Sequence, residues 1–188
     1  MKYIFSLLLM ALCCTALAQL PEAPGPFDPY SHEAQLKTLA VKLANKYMAR
    51  VKALTECPQY DITSGTEDLF EPDCKIEVRS VNNNDVHIYG WYEYLHHVSQ
   101  LKCRIDDPLY NEMSILYDPV DTSKARMNSM DGSAAIDLDV VQRFFASGQK
   151  GFYCDVTVKT IYTHFRLVGN KLVGKIYYVK AQVPKKCF

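Results

Sequence analysis

Apolar residues follow two rhythms along the chain. Leu36, Leu39/Ala40, Leu43, Tyr47 and Val51/Leu54 recur at three- and four-residue steps, with Lys37, Lys42, Lys46, Arg50 and Lys52 filling much of the rest. That spacing predicts one long amphipathic helix from His32 to about Thr55, opened by Ser31 as N-cap and closed at Cys57-Pro58, because the residue before a proline is pushed out of helical geometry. Its lysines read as a solvated helix face. A single helical turn is expected at Thr66–Phe70, then a half-buried strand in which Cys74, Ile76 and Val78 alternate with Lys75, Glu77 and Arg79. Asn82-Asn83-Asn84 reads as a turn, with Asp85 capping a second helix. Ile88, Trp91, Leu95, Val98 and Leu101/Lys102 form its buried stripe, which ends near Cys103.

After Asp107-Pro108 the rhythm changes to alternation. Asn111–Tyr117 reads as a strand, and Lys124–Met130 as another that turns at Asp131-Gly132, a common hairpin signal. Asp137–Phe145 reads ambiguously, and the spacing of Leu138, Val141 and Phe144/Phe145 suits a short helix stopped by Gly148. Phe152–Val168 is a long strand, Gly169-Asn170 a tight turn, and Leu172–Val183 the returning partner. No internal repeat is present. Helix, strand, helix and then several hairpin-linked strands make an α+β layout. A sheet with helices on one face only must curl around them to bury its apolar side. The expected fold is therefore a single domain, a strongly curved antiparallel sheet packed on N-terminal helices, in the form of a cone with one open end.

The first eighteen residues stand apart. Lys2 precedes an apolar run from Ile4 to Cys14, and Ala16-Leu17-Ala18 offers the small residues that signal peptidase reads. The run is roughly half of the ~20 residues that a membrane-crossing helix needs. Residues 1–18 thus read as a secretory signal cleaved between Ala18 and Gln19, residues 19–30 as a flexible proline-rich lead-in, and residues 31–188 as the folded domain. The expected location is extracellular, with no membrane association once the signal is gone.

The chain carries 21 basic and 21 acidic residues, a balance that gives no reason to expect nucleic acid or an anionic membrane as partner. Of its cysteines, Cys57, Cys74, Cys103, Cys154 and Cys187 lie beyond the signal. In an oxidising compartment most should pair, but the connectivity is open. One thiol is left over, and Cys187 is the one placed to reach a second subunit. No two cysteines have the close spacing of a structural zinc site, so no metal is expected. No cofactor fingerprint, nucleophile elbow or phosphate loop occurs. The 13 tyrosines against one tryptophan suit half-buried strands and binding surfaces.

The order of elements resembles the nuclear-transport-factor-2-like superfamily, the cone fold of ketosteroid isomerases, polyketide cyclases and scytalone dehydratases. The likeness is carried by the helix Ser31–Thr55 and by Leu69-Phe70-Glu71-Pro72-Asp73-Cys74 entering the first strand. Gly90-Trp91-Tyr92-Glu93-Tyr94-Leu95 and the closing hairpin Gly151–Val183 complete it. Secreted nematode proteins without an assigned activity look similar. In enzymes of this superfamily an Asp or His works inside the cone beside tyrosines, so Asp155, His164, His96 and His97 are the residues to weigh. On a strand Asp155, Thr157 and Lys159 share one face, while Cys154, Val156 and Val158 share the other. The first set reads as solvent-facing, which takes Asp155 out of the cone. His164 shares the face of Tyr162 and Val156 and becomes the candidate base, and His97 falls off the helix stripe and should be exposed. Trp91, Tyr117, Tyr162 and His164 are the expected pocket lining.

Three functions follow. The first is a secreted non-enzymatic module that binds a small apolar ligand or a protein. The second is an isomerase, dehydratase or cyclase with His164 as base. The third is an interaction protein that forms a homodimer through the outer sheet face. A cystatin-like inhibitor is disfavoured, because the Gln-x-Val-x-Gly loop is absent.

Overall fold

The computed structural model describes residues 28–57, 65–81, 85–103, 109–130, 133–149 and 151–187. The signal, most of the lead-in, the Asn82–Asn84 turn and the Asp131-Gly132 turn lie outside these residues.

A 3₁₀ turn at Tyr30–His32 leads into helix α1, Glu33–Leu54. Asp28 and not Ser31 serves the first free N–H group: its Oδ1 accepts from the Tyr30 amide at 3.0 Å, while the Ser31 hydroxyl donates to the Asp28 carbonyl at 2.9 Å. Leu36, Ala40, Ala44, Tyr47, Val51 and Leu54 bury the predicted stripe. At the other end Lys102 Nζ donates to the Thr55 carbonyl at 2.9 Å, a cation on a helix C-terminus that satisfies an orphan acceptor. Cys57, with φ +52°, is bonded to Cys103. The disulfide ties the end of α1 to the end of helix α2, Trp91–Cys103.

The strands are β1 (Phe70–Arg79), β2 (Val86–Gly90), β3 (Glu112–Tyr117), β4 (Arg126–Met130), β5 (Ser133–Gly148), β6 (Gly151–Val168), β7 (Lys171–Ala181) and β8 (Lys185–Lys186). They form one sheet in the order β2-β1-β7-β6-β5-β3, in which β4 pairs with the other half of β5 and β8 with β6. The β6–β7 turn matches the prediction, since Val168 pairs with Lys171 and Gly169 has φ +61°, the sign that a II′ hairpin demands at its first position.

Three expectations are corrected. The sheet is mixed, because β1 runs parallel to β7, with Phe70 opposite Ile176 and Ile76 opposite Val179. A helix and several strands separate the two, more than the crossover that parallel pairing needs. Val86–Gly90 is a strand antiparallel to β1 and not the start of a helix, so Ile88 is 58% exposed on an edge. Asp137–Phe145 is part of β5. Ala134, Ile136, Leu138, Val140 and Gln142 are all buried, an alternation that the apolar residues Ala135, Val141 and Phe145 on the opposite face disguise.

Both helices lie against the same face of this curved, unclosed sheet. On that face Phe165 of β6 reaches the place where Leu43 of α1 meets Gly174 of β7, and Lys159 of β6 meets Tyr94 of α2. One apolar core joins α1, α2 and the inner positions of the strands. Within it the Tyr47 hydroxyl, near those of Tyr94 and Tyr117, has no partner of good hydrogen-bond geometry among the described residues, and burial pushes its acidity well down.

Candidate functional site

The core is incomplete at the end of α2. A cavity of about 270 Å³ opens between α2, the far end of β1 and the first half of β6. Its apolar wall comes from Val78 of β1, Val98 and Leu101 of α2, Ile115 of β3 and Phe144 of β5. Its polar side is built around a row on β6, Asp155, Thr157 and Lys159, which point inward at alternate positions, with Gln142 of β5 and Arg79 of β1 also in the lining.

This row is where the structure overturns the parity argument. Asp155, Thr157 and Lys159 do share a face, but it is the inner one, with exposures of 7%, 5% and 3%. Farther along the strand Ile161, Thr163 and Phe165, of the same parity, are wholly buried. The outer face holds Val156, Val158, Tyr162 and His164, all half-buried.

The carboxyl of Asp155 accepts from the Tyr153 hydroxyl at 2.9 Å and from the Thr157 hydroxyl at 3.2 Å. Burial nonetheless raises its pKa above the usual carboxylate range, a rise that those two bonds and the Lys159 charge oppose. Tyr153 is pushed up to about 12, by burial first and then by its bond to Asp155. Lys159 Nζ donates to the Tyr94 hydroxyl at 3.2 Å and sits 5.2 Å from the centre of the Tyr94 ring, within cation–π range. Gln142, across the cavity, accepts from the Tyr117 hydroxyl at 3.0 Å.

The residues predicted for the lining are spread over the molecule. Trp91 stacks on Phe70 with ring centres 5.2 Å apart. Tyr117 reaches the cavity only through Gln142, which lines it. Tyr162 packs on Tyr177 and Tyr178 on the outer face, and the His164 ring meets that of Tyr177 at 6.3 Å. His97 is exposed, as its place off the stripe implies, and stands at the cavity mouth stacked on Tyr89 at 5.2 Å. Asp155, Lys159, Gln142 and Tyr153 are the cavity residues that the sequence reading set aside or passed over. The available signal was Ile161 and Phe165, whose parity fixes the inner face of β6.

Cys154 is bonded to Cys187, and Cys74 is the free thiol, buried in the core. The second-subunit role expected of Cys187 is thereby overturned, since its sulfur is used within the chain. The bridge holds β8 against β6, with Val156 opposite Lys185. Among the described residues no group of three His, Cys, Asp or Glu side chains is placed to hold a metal ion. No helix among them is long and apolar enough to cross a membrane.

No protein-family model matches the chain, and no curated protein does. Solved structures do. A nuclear transport factor 2-like superfamily protein from Salmonella enterica serovar Typhimurium is 12% identical over 83% of this chain and 96% of its own, with a TM-score of 0.48. A scytalone-dehydratase-like protein of Novosphingobium aromaticivorans is 8% identical over 84% and 92%, with a TM-score of 0.46. A protein described as "Rd1NTF2_04 with long sheet" is 15% identical over 76% and 99%, with a TM-score of 0.39. The likeness to secreted nematode proteins finds no counterpart among these three. These structural neighbours are nuclear-transport-factor-2-like, and the α+β cone described above stands on this chain's own strand order and helix packing.

Proposed function

We propose that this chain is an exported binding module that holds a compact, largely apolar small molecule in the cavity between α2 and β6. The observation that supports this most is the cavity's composition: an apolar wall faced by a short row of convergent polar groups, the pattern of small-molecule sites. Its volume of about 270 Å³ lies just under the ~300–1,000 Å³ typical of such sites, so the ligand is small. Export is supported by the N-terminal leader and by two disulfides, which persist in oxidising compartments.

The neutral fluorophore N-phenyl-1-naphthylamine tests the cavity. Its emission should rise on mixing with the protein, and Leu101→Trp, which fills the cavity from α2, should abolish the rise while the far-ultraviolet circular dichroism is kept. An unchanged response in Leu101→Trp would place the probe elsewhere and end the reading. N-terminal sequencing of the chain collected from the medium of animal cells should begin at Gln19.

One observation favours a second reading, acid–base catalysis at the same place. Asp155 is a buried carboxyl of raised pKa on a cavity wall, as a general acid or base requires. In that reading Asp155 takes the part first given to His164.

A further inference from the structure

Lys159 is in an uncommon position. Its side chain is 3% exposed, yet no carboxylate lies within 4.0 Å of its Nζ among the described residues. An ammonium carries three N–H donors. One is used by the Tyr94 hydroxyl at 3.2 Å, and the ring of the same residue takes part of the charge. The other donors have no protein partner among the described residues and belong to a group that lines the cavity.

The nearest acid on the same strand face does not repair this. Asp155 lies four residues back on β6; its carboxyl is held by Tyr153 and Thr157, and although the Lys159 charge acts on it, no ion pair joins the two. Arg79, at the cavity edge, is engaged by Glu77 at 2.6 Å. Lys159 is thus a buried cation with no carboxylate in direct contact: Asp155 acts on it only through space, and Lys159 lines a cavity walled by Thr157 and by apolar side chains. A buried charge is retained where something pairs with it.

We infer that the ligand of this cavity is a small organic acid whose carboxylate is held by Lys159 and whose apolar body rests on Val98, Leu101, Ile115 and Phe144. This deepens the proposed function and rests on it. A carboxylate fits better than a phosphate, because the unused N–H donors of a single ammonium are too few for a phosphate dianion. The bond is noncovalent: the acid arrives ionised, takes the unused N–H donors and leaves the Tyr94 bond in place.

The test compares benzoate with benzamide, which has nearly the same shape and no charge, by calorimetric titration of the whole chain. Benzoate should bind at least about tenfold more tightly than benzamide, as expected for a charge-assisted hydrogen bond in a dry site. Lys159→Met should erase that preference, and Lys159→Arg should restore part of it. Equal binding of the two probes by the unaltered protein overturns the inference without any variant being needed. Benzoate preference that survives in Lys159→Met overturns it too, since the anion then sits elsewhere. If N-phenyl-1-naphthylamine enters the cavity but neither benzoate nor benzamide binds, the carboxylate assignment fails and the cavity reading stands. If no probe binds, both fall.

Discussion

Phe165 and Gly174 face each other across the β6–β7 hairpin, and the Phe165 ring fills the space in which a side chain at position 174 would stand. Glycine is required there for close approach: a methyl group would overlap the ring and crowd Leu43 of α1. The ring occupies the place beside the Gly174 backbone that Leu43 of α1 also borders. Gly174→Ala should cost about 1–3 kcal/mol, the usual penalty of overpacking. Adding Phe165→Leu should return part of it, since the two changes share one space. Urea midpoints of the two variants and the double variant measure this. Additive losses would show that the two positions do not compete.

The sulfur chemistry divides cleanly. Burial, with help from the nearby Asp73 and Glu71 charges, pushes the Cys74 thiol up to about 12, so at pH 8 it should not react with a thiol reagent until guanidinium unfolds the chain. The native state holds this proton more tightly than the unfolded state, whose thiol has a pKa of about 8.5. The stability from Cys74 is therefore complete below about that pH and is lost as pH climbs toward about 12. Removing the other bridge, by Cys154→Ser with Cys187→Ser, should cost about 2–4 kcal/mol. Sizing without reductant should show no disulfide-linked dimer. Rapid labelling of Cys74 in the native protein, or a reductant-sensitive dimer, would contradict this picture.

Asp155 carries a folded-state pKa raised by burial. From the unfolded carboxylate pKa of about 3.9 up through the raised native value, the native state binds more of the proton than the unfolded state. Stability therefore falls across that window as pH rises, and stays reduced above it. Asp155→Asn removes the penalty while its amide oxygen can still accept from Tyr153 or Thr157. The variant should be more stable than the parent at pH 7 and no more stable at pH 3. Urea denaturation at the two values decides it, and a loss of stability at pH 7 would show that Lys159 and the two hydroxyls stabilise the carboxylate more than burial opposes it.

These residues also explain how far the sequence could be read. Helix α1 was legible because polar and apolar positions separate cleanly in it, and the β6–β7 hairpin because Gly169-Asn170 marks its turn. The cavity was not, because the first half of β6 inverts the usual rule: Asp155, Thr157 and Lys159 point in, while Val156 and Val158 point out. An inversion of that kind is what a polar site in a core looks like from its sequence. The same strand also held the remedy. Ile161 and Phe165 are wholly buried, and without a bulge between them and Asp155 they place His164 outside and Asp155 inside. Strand β2 and strand β5 were missed for different reasons. Val86–Gly90 is too short and too exposed to show a period, and β5 has apolar side chains on both faces. The disulfide pairing depended on where α1 and α2 end and on the course of the chain after β7, which spacing alone does not specify.

The parallel seam between β1 and β7 bears on how the molecule is made. Val78 of the cavity wall belongs to β1, whose interior neighbour β7 can pair only after α2 and strands β2 to β6 have been made. Until then β1 has only β2 beside it and presents a raw hydrogen-bonding edge. The wall that carries Val78 therefore gains its second strand neighbour only when β7 docks.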